Sequence, residues 1–182
     1  ATPADTDELL ISDAGTLKRV DYSYLKSANT PAFEAYRTSN QTLGGNNTWT
    51  KVQFNVERFD TAGNYDNSTN YRFTPTTSGK YFVYAHVKLE AAGVNANGFS
   101  QTAIHFNGSS IGNAIIDVRD TSSNGGKTFT VPISTVINFN GSSDYVEIYA
   151  KCFDNTGATP TILADSTGVI NTIFGAYKLI GV

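Results

Sequence analysis

From Pro31 onward, short apolar segments alternate with clusters of Gly, Asn and Ser. The apolar segments predict strands over Ala32–Tyr36, Thr50–Glu57, Tyr71–Phe73, Lys80–Glu90, Gln101–Phe106, Ile111–Val118, Thr128–Phe139, Tyr145–Phe153 and Val169–Ile180. Turn signals separate them at Gly44-Gly45-Asn46, Ala62-Gly63-Asn64, Asn95 to Gly98, Asn107-Gly108, Asn124-Gly125-Gly126 and Asn140-Gly141. Many short strands at this spacing, without helical periodicity, predict an all-β sandwich or jelly roll. The first thirty or so residues read differently. An acidic stretch, Asp5 to Glu8, is followed by Leu9-Leu10-Ile11, the turn signal Ser12-Asp13-Ala14-Gly15, Thr16 to Val20, and Asp21 to Leu25. This pattern predicts a small hairpin leading into an extended linker. It has too few apolar residues to hold a core alone, so it is expected to pack on copies of itself or on a preceding domain. The organisation expected is a connector over residues 1–30 and one jelly-roll head over residues 31–182.

Side chains alternate faces along a strand, so each predicted strand can be read face by face. Val146, Ile148, Ala150 and Cys152 share one face, and Tyr145, Glu147, Tyr149 and Lys151 share the other. That is a half-buried strand with a mixed outer face. Lys80–Leu89 differs. Tyr81, Val83, Ala85, Val87 and Leu89 lie on one face, yet the other carries Phe82, Tyr84 and His86. The last strand is also apolar or aromatic on both faces, over Ile173, Phe174, Tyr177 and Leu179. An antiparallel sandwich needs only one buried face per strand. A second apolar face calls for a second burial surface, most simply another copy of the chain. Phe82, Tyr84, His86, Phe174 and Tyr177 are therefore the candidate interface residues.

Composition supports this reading. Ten Tyr and eleven Phe, with abundant Thr, Ser, Asn and Gly, favour strands and turns over helices. A net charge of −3 without a long run of one sign argues against non-specific nucleic-acid binding. A single cysteine, Cys152, excludes an intrachain disulfide framework and is expected to be a buried strand residue. No apolar run reaches the length of a bilayer-crossing helix, so no membrane insertion is expected, and no signal peptide is visible. The chain begins at Ala1 and lacks Met, which suggests a start processed away or cut from a longer protein.

One ordered series of residues is specific. It runs Phe54-Asn55, Tyr65-Asp66, Tyr71-Arg72-Phe73-Thr74-Pro75, then Gly79-Lys80-Tyr81-Phe82-Val83-Tyr84-Ala85-His86-Val87. It resembles the signature of the C1q globular head, in the C1q/tumour necrosis factor superfamily, with Val83 where that family usually has Phe. Pro31 to Tyr36 resembles the family's first strand, Gly141 to Ile148 its penultimate strand, and Ile173 to Leu179 its closing strand. The resemblance covers about Pro31 to Val182. It implies a jelly roll of about ten strands forming a compact homotrimer, with binding surfaces on loops and in grooves between protomers. At these positions Pro75 cannot donate to a ladder, Gly79 is expected at positive φ, and Tyr81 is expected to fill the core. Glu8 to Val20 resembles a connector found ahead of C-terminal tip domains in tailed-phage structural proteins. The collagen stalk usual in animal family members is not visible.

The carboxylates are dispersed, which leaves a glycosidase pair open, since such pairs need not be close in chain order. Neither His86 nor His105 has a nucleophile motif beside it, and no nucleophile elbow, His-x-x-x-His pair or phosphate loop occurs. Some superfamily members hold calcium near the trimer apex with loop aspartates. Asp117 and Asp120 are the corresponding candidates here, although the spacing is not that of an EF-hand. Otherwise no cofactor is expected. Trp49, Asn95, Asn97, Phe99 and Asn124 are the candidate ligand-binding residues, since rings stack on apolar sugar faces and amides bind hydroxyls. Trp49 reads equally well as a core anchor. The function expected is a non-enzymatic trimeric virion surface protein, a tail-fibre or spike tip that recognises a host glycan or receptor. Its N-terminal segment would join other virion structural proteins. The alternatives are a purely structural fibre- or capsid-decorating trimer and a secreted cellular C1q-like recognition module.

Overall fold

The computed structural model describes residues 4, 6–22, 29–119, 126–164 and 170–180. In chain order the strands are β1 (Glu8–Asp13), β2 (Thr16–Asp21), β3 (Ala32–Tyr36), β4 (Gln41–Thr42), β5 (Thr50–Lys51), β6 (Val56–Asp60), β7 (Tyr65–Asp66) and β8 (Arg72–Phe73). They continue as β9 (Gly79–Glu90), β10 (Asn97–Phe106), β11 (Ser109–Asp117), β12 (Thr128–Phe139), β13 (Val146–Asp154), β14 (Thr161–Ile162) and β15 (Ile173–Lys178).

β1 and β2 form a separate antiparallel hairpin. Its turn, Ala14-Gly15, has φ of 50° and 83°, the positive values that a two-residue hairpin turn needs. The remaining strands build two antiparallel sheets. In the first, the order is β4-β14-β9-β15-β3-β6, with β12 paired along the other edge of β9. In the second it is β11-β10-β13-β8-β7, with β5 also on β13. β10 and β11 are joined by Asn107-Gly108, again with both φ values positive.

The inward faces follow the alternation. Tyr81, Val83, Ala85, Val87 and Leu89 of β9 are buried against Val146, Ile148, Ala150 and Cys152 of β13. Aromatic rings fill one end of the core: Phe33 stacks on Tyr65 and Phe73, and Phe174 meets Phe33 edge-on at 4.9 Å between centroids. Tyr81 is fully buried and donates its hydroxyl to the Thr77 carbonyl. Gly79 has φ of 136°, in the left-handed half of backbone space as its place in the sequence suggests.

The stretch Thr50–Glu57 departs from its expected single strand. β5 belongs to one sheet and β6 to the other, and the backbone between them crosses from layer to layer. Val52 and Phe54 are buried along the crossing, so the apolar alternation is real but serves the gap between sheets. The buried Arg37 guanidinium donates to the carbonyls of Ser39 and Gln53, satisfying crossing backbone that no ladder reaches.

Candidate functional site

The strand registers decide what the first sheet shows to the outside. On β9 the outward residues are Phe82, Tyr84 and His86. Across the ladder to β15 they face Tyr177, Gly175 and Ile173. On β3 the next neighbours are Ala32, Glu34 and Tyr36, and on the β12 side they are Val136, Ser134 and Pro132. Phe59 of β6 stands opposite Glu34. The result is one continuous, largely aromatic surface. Phe82 packs on Tyr84 and Tyr177 with centroids 6.1 and 5.6 Å apart, while Val136 and Phe59 are 51% and 45% exposed. A shallow open groove, lined by Phe82, Tyr84, His86, Pro132 and Ser134, runs between β9 and β12.

A polar chain crosses the centre of this surface. The Tyr84 hydroxyl donates to Glu34 Oε2 at 2.7 Å, and Arg58 Nη1 donates to Glu34 Oε1 at 2.9 Å. Gly175 makes the first bond possible. It lies between Tyr84 and Glu34 in both ladders, and a Cβ there would sit 2.4 Å from Cζ and Oη of Tyr84. The tyrosine ring lies across the bare backbone of β15. Burial, then the carboxylate of Glu34, push the Tyr84 hydroxyl well above the usual tyrosine range, so it remains a donor at neutral pH.

Four of the candidate interface residues, Phe82, Tyr84, His86 and Tyr177, lie on this surface. Phe174 does not. It is fully buried in the protomer's own core, because β15 turns Phe174 and Ala176 inward and Ile173, Gly175 and Tyr177 outward. Glu34, Arg58 and Gly175 complete the surface although the sequence reading passed over them. A glycine inside an otherwise apolar strand was the available signal, since it marks a close approach.

The ligand-binding candidates separate. Trp49 is 36% exposed, so it is no core anchor, and the Lys151 ammonium lies 4.8 Å from its ring centroid. Asn95 is exposed, with φ of 58°. Asn97 is fully buried and hydrogen-bonded to Ser100, and Phe99 is stacked on Phe153 beneath Arg119. Both were expected on a free loop. β10 begins at Asn97, and its pairing with β13 draws them into the sheet. Asn124 and Asp120 lie outside the described residues. Asp117, the other calcium candidate, is engaged by the Arg119 guanidinium, whose hydrogen bonds hold its carboxyl below the usual range. Among the described residues no group of three His, Cys, Asp or Glu side chains is placed to hold a metal ion.

His105 stacks on Tyr149 at 4.0 Å between centroids, and burial lowers its pKa. Cys152 is buried, and burial pushes its thiol up to about 11, which leaves it without nucleophilic character at neutral pH.

No protein-family model matches the chain, and no curated protein matches it. Solved structures do. A murine APRIL structure is 9% identical with a TM-score of 0.56, covering 81% of this chain and 98% of that one. Eiger TNF from S. frugiperda is 9% identical with a TM-score of 0.57, covering 81% of this chain and 91% of that one. A second murine APRIL structure is 10% identical with a TM-score of 0.57. At such low identity the likeness is one of fold: the chain is a jelly-roll β-sandwich like those of these tumour necrosis factor-type domains.

Proposed function

We propose that the chain is a non-enzymatic homotrimeric recognition head. The observation that carries this reading is the aromatic outer face of the first sheet. Phe82, Tyr84, Tyr177, Ile173, Val136 and Phe59 form a contiguous apolar surface that no other strand covers among the described residues. Contiguous exposed apolar surface of this kind marks an interaction site, and around a closed ring it would be covered by the neighbouring copies. The choice of three copies rests on the resemblance of Phe54 to Val87 to C1q heads. The same resemblance, with the absence of a catalytic motif, supports a binding role rather than an enzymatic one.

The resemblance of Glu8 to Val20 to a phage connector supports a place on the virion surface, as a tail-fibre or spike tip joined through the N-terminal segment to other virion proteins. A host-surface glycan is the proposed ligand. Threefold display would raise weak single-site affinity by avidity. The purified trimer on a glycan array tests this role. Retention of a defined glycan set supports recognition. Failure to retain any glycan, with and without divalent cations, overturns it in favour of an architectural trimer. One observation favours that second reading: charged groups of the other sheet's outer face are paired within the protomer, Lys51 with Glu147 and Arg119 with Asp117.

A further inference from the structure

Lys151 on that face has no acid at ion-pairing distance among the described residues, and we infer that it marks a binding strip for a carboxylated saccharide, built from Trp49, Lys151, Gln101 and Ile115. The inference rests on the proposed recognition role and locates it. In the second sheet Gln101 stands opposite Lys151 on one side and Ile115 on the other. Trp49 immediately precedes β5, whose Thr50 pairs with Ala150, so the indole falls beside Lys151. The four side chains make one row across the outer face of β5, β13, β10 and β11.

The chemistry along the row is complementary to an acidic sugar. The Lys151 ammonium lies 4.8 Å from the Trp49 ring centroid and 5.4 Å from that of Phe99. These rings hold the ammonium in place without neutralising it. Among the described residues Lys151 has no carboxylate at ion-pairing distance, whereas neighbouring Lys51 lies 2.5 Å from Glu147 and Arg119 2.5 Å from Asp117. In a chain of net charge −3, this is a local positive point on a half-buried side chain. The Gln101 amide has no hydrogen-bond partner among the described residues, and both its donor and its acceptor are open to sugar hydroxyls. Trp49 and Ile115, 36% and 46% exposed, offer apolar flanks for the C–H faces of sugar rings. A carboxylate would take the place opposite Lys151. A neutral sugar in the same position would cover the ammonium without pairing it, which is the source of discrimination. The strip lies on the sheet opposite the aromatic face, so assembly through that face leaves every copy of it open.

The experiment is the array carried one step further. Uronate- and nonulosonate-containing glycans are printed beside their carboxyl-reduced counterparts and probed with wild-type trimer, Lys151→Gln, Lys151→Arg and Trp49→Ala. Each protein is first checked for unchanged mass and melting temperature. The expected result is that carboxylated glycans bind at least about tenfold more tightly than reduced ones, the size of one charge-assisted hydrogen bond. Lys151→Gln abolishes the preference, Lys151→Arg keeps it, and Trp49→Ala weakens both classes. Equal binding of acid and reduced forms, or a preference that survives Lys151→Gln, overturns the strip and leaves the recognition role standing. No binding of any glycan by the wild-type trimer overturns both.

Discussion

Gly175 shows how much one side chain decides here. Adding a methyl group places a Cβ 2.4 Å from the Tyr84 ring, so Gly175→Ala must swing that ring off β15 and break its bond to Glu34. Overpacking of this kind costs about 1–3 kcal/mol, and urea denaturation of the variant is expected to show it. An unchanged midpoint would mean that the ring has another place to go. Phe174→Ala is expected to cost more, about 3–5 kcal/mol, because it empties a site ringed by Phe33, Phe54 and Tyr65. The same measurement on Phe82→Ala should give a smaller loss in the isolated chain, since Phe82 is only half buried. The strand glycine and the strand aromatics were legible in the sequence. The partner Glu34 was not, because it meets Tyr84 only through two ladders whose registers no local pattern encodes.

Among the elements, the loop between β7 and β8 carries its own acid sensitivity. The Asp66 carboxylate accepts hydrogen bonds from the backbone amides of Ser68, Thr69 and Asn70 and from the Asn70 side chain. The Thr69 amide above all, then Ser68 and Asn70, outweigh the opposing effect of burial and hold Asp66 below the usual carboxylate range. The folded pKa is depressed, so the stabilisation is fully present above the unfolded value of about 3.9 and is lost as pH falls through the folded value. Denaturation midpoints measured from about pH 5 downward should therefore fall more steeply for wild type than for Asp66→Asn. Parallel curves would show that the loop contributes nothing to stability. At this scale the long strands were read well. Thr128–Phe139 is β12 residue for residue, and Lys80–Glu90 lacks only Gly79 of β9, because each carries a sustained alternation. The two-residue strands β4, β7 and β14 are too short for any period to register, and β10 starts earlier than expected because Asn97 and Gly98 read as turn residues while their pairing is supplied by β13 and Gly126.

For the molecule as a whole, two packed sheets expose two outer faces of opposite character. One is aromatic, crossed by a single polar chain from Tyr84 through Glu34 to Arg58. The other is mixed, with ion pairs and the strip around Lys151. That difference, visible already in the side chains alternating along β9 and β13, is what supports the proposal of assembly through the first face and ligand binding on the second. Replacing Tyr84 with Asp sets a second carboxylate beside Glu34 in the middle of the aromatic face. It is expected to dissociate the assembly while the isolated chains retain a β-rich circular dichroism spectrum. Sedimentation equilibrium of the wild-type chain is the most direct test. The aromatic face, with the C1q-like resemblance choosing three copies, predicts a single species of three times the 19.6 kDa chain mass at micromolar concentration. A stable species of 19.6 kDa under the same conditions would contradict it.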